Sequence, residues 1–175
     1  MAGQLEGRRV GLFVADMFED IEAYYPYYRL REEGADVAVV GPEVRTYHGK
    51  RGLTIDADIG LDDVGPMDFG ALVIPGGYAP DRLRREHRLL DRVREADQGG
   101  KPVAAICHAG WVLISAGILK GRRVTGYWSI RDDLVNAGAE YEDAEVVRDG
   151  NLITSRHPPD LGAFCRTIIE AMAGR

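Results

Sequence analysis

Cysteine and lysine are scarce in this chain of 175 residues, and no stretch of it stays apolar for long. The two cysteines, Cys107 and Cys165, lie far apart without Cys-x-x-Cys spacing. This argues against a disulfide framework and a zinc site, and it indicates a reducing compartment. No apolar run approaches the length needed to cross a bilayer. The start of the chain has no apolar centre, so we expect no signal peptide. These absences predict a cytoplasmic protein that does not enter a membrane.

Basic residues are fewer than acidic ones: the chain has 22 Lys and Arg residues and 28 Asp and Glu residues, which gives a net charge of −6. An acidic protein attracts nucleic acid poorly, and no basic stripe interleaved with aromatic residues is present. The arginines between positions 82 and 94 are interrupted by acidic residues, which is typical of a solvated helix face. We therefore expect no nucleic-acid partner.

Apolar residues make up 45% of the chain, enough for the core of one domain. Short apolar runs alternate with segments of helical period, which predicts buried parallel strands joined by helices. The predicted elements are main-sheet strands at 9–15, 36–41, 69–74 and 102–106, a β-ribbon at 43–59, a helix at 80–96, a hairpin at 145–154 and a last helix at about 159–173. The fold class is α/β, one domain over residues 1–175 with a mostly parallel central sheet.

The stretch from Pro102 to Trp111 combines a buried strand with an abrupt turn into a helix. Small and apolar residues end at Cys107 and His108, after which a helical period begins. We expect Cys107 at the carboxyl end of a strand, in a cysteine nucleophile elbow, where open α/β sheets bind their ligands. The first turn of a helix favours thiolate over thiol, which predicts a lowered pKa for Cys107. The alternative is that Cys107 is a small core residue, the usual fate of a free cysteine.

A cysteine hydrolase also needs a proton carrier and hydrogen-bond donors for an oxyanion. Glu19 lies in an acidic loop after the first strand, at the sheet edge predicted for Cys107, and is the candidate proton partner of the sulfur. Simple helix capping would also explain an acid there. The predicted oxyanion donors are the backbone N–H groups of Gly77 and His108. The imidazole of His108 need not face the sulfur at so sharp a turn.

The segment His157-Pro158-Pro159-Asp160 is similar to the His-x-Glu ending of class I glutamine amidotransferases, where histidine and glutamate complete a triad with an elbow cysteine. Here the acid stands one position later, and prolines before an acid also make an ordinary helix start. We favour the helix start. A glutaminase-like activity would need His157 within hydrogen-bond reach of the Cys107 sulfur.

Several segments, in order along nearly the whole chain, resemble the ThiJ/PfpI superfamily and most closely its PfpI-type intracellular protease branch. These segments are Phe18-Glu19-Asp20-Ile21-Glu22, Gly49-Lys50-Arg51-Gly52, Pro75-Gly76-Gly77-Tyr78-Ala79-Pro80-Asp81, Ala105-Ile106-Cys107-His108, Leu113-Ile114-Ser115-Ala116-Gly117, Ile130-Arg131-Asp132-Asp133, Asn136-Ala137-Gly138 and Thr154-Ser155-Arg156.

The resemblance implies a flavodoxin-like sandwich with its elbow cysteine at Cys107 and a neighbouring glutamate at Glu19. It also implies a Cys-His-acid triad in which an adjacent subunit of a dimer-built hexamer supplies the acid to His108. The matching acid is Asp81, where some members carry the longer glutamate; its alternative role is to cap the helix that starts after Pro80. We therefore expect a homo-oligomer, a dimer or a dimer-built hexamer. No metal or organic cofactor is implied.

Relatives in this superfamily are described as peptidases, as deglycases or glyoxalases acting on methylglyoxal and its adducts, and as redox-responsive stress proteins. All three roles use the same cysteine. The predicted function is a cysteine-dependent hydrolase in stress protection, with a peptide or a small molecule as substrate. The alternatives are a non-enzymatic redox sensor or holdase that uses oxidation of Cys107 and, less favoured, a glutaminase-like amidotransferase.

Overall fold

Buried apolar runs build a seven-stranded main sheet in the computed structural model, which describes residues 3–65 and 68–174. The strands of this sheet and of two smaller ones are β1 (Arg9–Phe13), β2 (Asp36–Gly41), β3 (Thr46–His48), β4 (Thr54–Asp56), β5 (Ile59–Gly60), β6 (Ala71–Ile74), β7 (Val103–Ile106), β8 (Arg123–Val124), β9 (Glu140–Tyr141), β10 (Val146–Asp149) and β11 (Leu152–Ser155). The main sheet has the order β10-β11-β7-β6-β1-β2-β5. Its neighbouring strands are parallel except for the antiparallel hairpin of β10 and β11. The predicted α/β class and mostly parallel sheet are confirmed.

Helices cover both faces of the main sheet. They are α1 (Asp20–Glu32), α2 (Ala79–Leu83), α3 (His87–Gln98), α4 (Gly110–Ala116), α5 (Arg131–Asn136) and α6 (Leu161–Met172). The chain leaves β1 through α1 toward one edge of the sheet, and it leaves β6 through α2 and α3 toward the other edge. Because such crossovers are right-handed, α1 and α3 must lie on opposite faces. The packing agrees, since α1 contacts α6 whereas α3 contacts α4.

The strand order reverses between β1 and β6, which are neighbours in the sheet. At such a reversal the connections diverge to opposite faces and leave a crevice at the carboxyl ends of the strands. The loops that follow β1, β6 and β7 therefore meet at one place. This is the edge at which the sequence predicted Cys107, and the fold now brings three separate chain segments to it.

The predicted β-ribbon is present as the antiparallel pair β3 and β4. Residues 59–60, at the end of the predicted ribbon, instead pair with β2 as the edge strand β5 of the main sheet. The turn of the ribbon contacts the loop after β1, because Gly49 forms a bridge with Phe18. The ribbon thus carries Lys50 and Arg51 to the crevice.

The elbow consists of β7, one 3₁₀ turn over Cys107–Ala109, and α4. Cys107 has φ +62°, in the left-handed region that non-glycine residues seldom adopt. Such a conformation costs about 1–3 kcal/mol and persists only where its surroundings enforce it. The backbone reverses here within a single residue, so the side chain stands at the crevice rather than inside the helix packing.

The sequence predicted one continuous helix over 80–96, and this prediction was wrong because the segment forms two helices. The structure has α2 and α3 with Glu86 in extended conformation between them. Among the segment's apolar side chains, none stands between the buried Leu83 and Leu89. Residues 84–86 therefore present no apolar side chain to the core that would continue the helix, and the chain turns at that point.

The last helix, α6, is amphipathic and buries one face against the sheet, as predicted. Cys165 is 1% exposed on that face, next to Phe164, so its role is packing. Burial raises the pKa of its thiol to about 12. Within the residues that the structure describes, neither α6 nor any other helix is long and apolar enough to cross a membrane.

Candidate active site

The loops after β1, β6 and β7 and the turn of the ribbon enclose a cavity of about 380 Å³ at the crevice. Its lining residues are Glu19, Glu22, Lys50, Arg51, Gly77, Tyr78, Cys107, His108, Tyr127 and Pro158. Four of the predicted site residues are in this set, namely Cys107, His108, Glu19 and Gly77. Over residues 3–65 and 68–174, no three His, Cys, Asp or Glu side chains gather in a way that could hold a metal ion.

Cys107 lines this cavity and is 8% exposed. The glycine beside it, Gly76, is required for the geometry. A Cβ at Gly76 would lie 2.5 Å from Oε2 of Glu22 and 2.7 Å from the Cβ of Cys107. Only a residue without a side chain lets the sulfur and this carboxyl approach each other, so Gly76 makes their contact possible.

Glu22, rather than Glu19, is the acid that contacts the sulfur. Its carboxyl lies beside Cys107 and acts on the pKa of the thiol, and its Oε2 accepts a 2.7 Å hydrogen bond from the N–H of Gly76. Glu22 is fully buried, on the face of α1 that also buries Ala23 and Pro26. The acid beside the sulfur is therefore one helical turn beyond Glu19, and the role of Glu19 as proton partner stays a prediction.

Glu19 faces the cations of the ribbon instead. Its Oε2 lies 2.7 Å from Nζ of Lys50, and its Oε1 lies 2.8 Å from Nε of Arg51. Glu19 precedes α1, so its side chain leaves the helix before the buried face begins. It remains part of the cavity wall and is 5% exposed, but both of its oxygens are occupied by positive charge.

Cys107 and Glu22 titrate as a pair. Burial raises the pKa of Glu22 to about 7, because a carboxylate loses its hydration inside the protein. Burial also raises the pKa of Cys107, and the charge of Glu22 adds to this, while the backbone N–H groups of His108 and Gly77 act in the opposite direction. The lowered thiol pKa predicted from the helix terminus is thus reversed by burial. The pair loses one proton near pH 7 and keeps the second far above it.

Gly77 supplies an N–H group that faces the sulfur, as the N–H of His108 does. Gly77 has φ +82°, and a Cβ there would come within 2.5 Å of Met17 O and 2.4 Å of Glu19 N. The loop after β6 is therefore pressed against the start of α1, and only glycine fits. The geometry agrees with the predicted pair of donors, whose action on an oxyanion stays a prediction.

The imidazole of His108 faces the sulfur, with Nδ1 3.2 Å from Sγ of Cys107. Its Nε2 lies 3.2 Å from Oγ of Ser129. The ring stacks on Tyr127 at a centroid distance of 4.9 Å and meets the edge of Trp111 at 5.1 Å. Burial and the charge of Lys50 lower the pKa of His108, so the ring is neutral at pH 7.

Two other candidates lie outside this cavity. Asp81 is exposed on α2, where it makes no ion pair with any described residue and no capping hydrogen bond. Its predicted action across a subunit interface stays a prediction. His157 lies 3.2 Å from Oδ2 of Asp160 and lines a separate cleft of about 540 Å³ together with Arg156. Its contacts are those of the favoured helix start and do not include the sulfur.

Sequence reasoning missed Glu22, Ser129 and the ribbon cations as members of the site. A signal for Glu22 was present, because position 22 is four residues before Pro26 and eight before Leu30, both on the buried face of α1. Ser129 gave no such signal. It comes from a loop after β8 that reaches the elbow only in the folded chain.

Comparison with known proteins places the chain among proteins of closely similar length. It is 48% identical over 158 residues to deglycase PfpI of Pyrococcus furiosus, covering 90% of this chain and 95% of that one. It is 45% identical over 166 residues to the putative cysteine protease YraA of Bacillus subtilis, covering 94% and 98%. It is 43% identical over 165 residues to general stress protein 18 of the same organism, covering 91% and 95%.

The fold comparison agrees. The crystal structure of DJ-1beta from Drosophila melanogaster superposes with a TM-score of 0.90 at 32% identity, over 100% of this chain and 92% of that one. The family model described as DJ-1/PfpI matches residues 8–171. This range contains every strand and helix of the fold except the final residue of α6. With sequence, fold and cysteine elbow in agreement, the chain belongs to the DJ-1/PfpI family.

Proposed function

We propose that this protein is a cytoplasmic cysteine-dependent hydrolase that removes methylglyoxal adducts from amines, as a deglycase in stress protection. The observation that carries the proposal is the buried pair of Cys107 and Glu22, with two backbone N–H groups facing the sulfur. A nucleophile, a proton carrier with a pKa near neutrality and oxyanion donors are the parts that thiol catalysis needs. Relatives that carry the names deglycase and cysteine protease support this class of chemistry.

The proposed reaction balances as the addition of water to the adduct. The sulfur of Cys107 bonds to the carbinol carbon, the thiol proton passes through Glu22 to the nitrogen, and the carbon–nitrogen bond breaks to release the amine. The enzyme-bound hemithioacetal becomes a thioester by transfer of a proton between its two oxygen-bearing carbons. Water then cleaves the thioester, which yields a hydroxy acid and restores the thiol. Glu22 accepts and returns the protons, and its pKa of about 7 suits both directions.

The shape of the site favours an adduct on one side chain or amino acid over an extended peptide. A cavity of about 380 Å³ lies at the small end of ligand pockets. Cys107 follows β7, which is paired on both sides by β11 and β6. An extended peptide has no free strand edge there to pair with, although strand pairing is a common way to hold one. The peptidase reading is therefore the second candidate, favoured only by the name of one relative.

The redox alternative needs an accessible thiolate. Cys107 is 8% exposed and burial raises its pKa, which slows oxidation relative to an open thiolate. No feature of the site favours this alternative over hydrolysis.

The deciding experiment compares the wild type with Cys107→Ser on three substrates: a methylglyoxal-modified amino acid, a methylglyoxal-modified peptide and an unmodified peptide. Release of free amine and hydroxy acid from the adducts is expected for the wild type, with a loss of about 10³-fold or more in the variant. Cys165→Ala controls for loss of a thiol and should keep its turnover. Cleavage of the unmodified peptide alone would replace the deglycase proposal by the peptidase one.

We propose further that the chain works as a homo-oligomer. The face of α1 opposite the core exposes Ile21, Tyr25 and Tyr28, with 49%, 39% and 63% of their surface accessible. Apolar patches of this kind mark protein interaction sites. Asp81, exposed and without an ion pair among the described residues, is available to a neighbouring subunit in such an assembly.

A further inference from the structure

We infer that Met17 is a positioning residue for the oxyanion donor Gly77, and that its strained backbone, rather than its side chain, performs this role. The inference rests on the proposed function only in taking Cys107 as the reacting sulfur and Gly77 as a donor beside it. The contacts that carry it are hydrogen bonds between backbone groups of one chain.

Met17 lies in the loop between β1 and α1 with φ +68°, in the left-handed region. Among the non-glycine residues at 3–65 and 68–174, only Met17 and the nucleophile Cys107 have a positive φ. Such a conformation persists only where its surroundings enforce it, and outliers of this kind gather at functional sites. The Met17 side chain is 37% exposed, so packing of this side chain in the core does not impose the conformation. The backbone contacts must therefore impose it.

The left-handed turn sends the two backbone groups of Met17 to two different segments. An extended residue in a sheet can direct its N–H and its C=O to the same neighbouring strand. The N–H of Met17 instead donates to O of His48 in the ribbon at 2.6 Å. Its carbonyl accepts from the N–H of Tyr78 at 2.8 Å and from that of Ala79 at 3.3 Å. Met17 thus joins the ribbon to the start of α2, which has no side-chain cap.

The peptide plane that carries the N–H of Gly77 is fixed by the same loop. In a trans peptide the C=O and the N–H lie in one plane and point in opposite directions. At one end of this plane, O of Gly76 accepts the N–H of Glu19 at 3.1 Å. At the other end, the N–H of Gly77 faces the sulfur of Cys107 in the cavity that both residues line. The bond from Glu19 therefore aims the donor at the sulfur.

Met17 fixes the next peptide plane, on the other side of the Gly77 Cα. This plane contains the N–H of Tyr78, which donates to the carbonyl of Met17. With both planes fixed, Gly77 cannot turn its N–H away from the sulfur, although glycine is the most flexible residue. If Met17 changed to a negative φ, its carbonyl would leave Tyr78 and this plane would be free to rotate. The strain at Met17 thus keeps the donor in place.

The test sets backbone preference against side-chain size at position 17. Met17→Gly and Met17→Asn favour a positive φ but lose bulk, whereas Met17→Ile keeps the bulk and resists this φ because it branches at Cβ. Met17→Leu has the same atoms as Met17→Ile without that branch and is the matched control.

The first readout is the rate at which iodoacetamide alkylates Cys107 at pH 7, with the labelled peptide identified by mass spectrometry. This readout needs no substrate. Met17→Ile should slow alkylation by about three- to tenfold, the worth of one hydrogen bond to the sulfur. Met17→Gly, Met17→Asn and Met17→Leu should stay within about twofold of the wild type.

Two further readouts distinguish positioning from a merely structural role. On a methylglyoxal-modified amino acid, Met17→Ile should lower kcat by about tenfold or more and keep KM within about twofold, because an oxyanion donor acts in the transition state. Hydrogen exchange of the Tyr78 amide reports its bond to Met17 directly. This amide should be protected in the wild type and in Met17→Gly, and it should exchange faster in Met17→Ile.

Equal alkylation rates for Met17→Ile and Met17→Leu would overturn the inference. A rate more than threefold below the wild type in both Met17→Gly and Met17→Asn would also overturn it, because the side chain would then hold the loop. If Met17→Ile does not fold, this second criterion decides, and wild-type rates with a protected Tyr78 amide support the inference. Absence of turnover on methylglyoxal adducts, with alkylation rates in the expected order, would reject the proposed function and leave the role of Met17 standing.

Discussion

At the scale of single residues, the site depends on which acid of the β1–α1 region reaches the sulfur. Glu22 does so because it lies on the buried face of α1, whereas Glu19 meets Lys50 and Arg51 outside that face. Both acids line one cavity, but their environments differ. Burial raises the pKa of Glu22 to about 7, and two cations hold Glu19 in place. The first can move a proton near neutral pH, and the second shapes the rim.

Glu22→Gln is expected to lower kcat/KM by about 10²- to 10⁴-fold, because the amide cannot accept the thiol proton. For the wild type, kcat/KM should rise as the pair loses its first proton near pH 7. In the variant this rise should move to higher pH, where the thiol itself ionises. Steady-state rates between pH 5 and 10 test this. Glu19→Gln, the same substitution at another residue that lines the cavity, is the control. A larger loss in Glu19→Gln than in Glu22→Gln would return the proton role to Glu19.

The raised pKa of Glu22 also makes the stability of the fold depend on pH. A carboxyl that binds its proton more tightly in the folded state stabilises that state fully below its unfolded pKa, about 4.5, and this contribution disappears as pH rises through about 7. The span corresponds to about 3 kcal/mol. Glu22→Gln should therefore raise the free energy of unfolding at pH 8 by up to this amount and change it little at pH 4.5. Urea unfolding at both pH values measures the difference. An equal effect at the two pH values would show that the acid does not titrate in this range.

At the scale of elements, the loop after β6 is pressed against the start of α1. Gly76 lies against Glu22 and Cys107, and Gly77 forms an antiparallel bridge with Phe18. Two turns that are distant in sequence therefore fix each other and set the depth of the cavity. The glycine pair is required both for backbone conformation and for space, and these two demands can be separated by experiment.

Gly77→Ala should lower the free energy of unfolding by about 3 kcal/mol, from a strained φ and from contact with the backbone of Met17 and Glu19. Gly100→Ala is the matched control, because its φ is +67° and nothing lies within 4 Å of the added Cβ. It should cost about 1 kcal/mol, from backbone strain alone. Urea denaturation of both variants gives the values. Equal losses in the free energy of unfolding would mean that the loop after β6 moves to accommodate the added Cβ at no energetic cost.

At the scale of the whole molecule, the open question concerns the contribution of one subunit to the site of another. The resemblance implies that Asp81 orients His108 across an interface, whereas the alternative expectation, a helix cap, involves only its own chain. The exposed patch on α1 argues for assembly in either case. Assembly and catalysis therefore need separate measurements.

We expect Asp81→Asn to lower kcat/KM by about tenfold or more in an intact oligomer, because the carboxylate that orients His108 from a neighbouring subunit would be lost. Tyr28→Ala should weaken assembly instead, since it removes an aromatic ring from the exposed face of α1. Sedimentation and turnover measured together over a dilution series distinguish the two variants. Unchanged turnover in an assembled Asp81→Asn protein would remove Asp81 from the site.

The local pattern of the sequence was sufficient for the strands of the main sheet other than the short edge strand β5, for the ribbon, for the hairpin and for the elbow. The alternation of polar and apolar residues and the short apolar runs indicate which side chains face the core. This periodicity depends only on residues a few positions apart. The same local information placed Cys107 at a strand end and Gly77 after a neighbouring strand. It was also enough to assign Cys165 to packing in α6.

The tertiary structure alone decided the features that depend on depth and on distant segments. Glu19 and Glu22 are one helical turn apart, so the rotation of α1 against the core selects which acid meets the sulfur. The pKa of Cys107 follows burial, which overrides the effect of a helix terminus because desolvation of a charge is the larger cost. Ser129 reaches His108 only because the chain beyond β8 folds back over the elbow. Residue order specified the nucleophile and the frame around it, and the packing of the whole chain selected its proton partners.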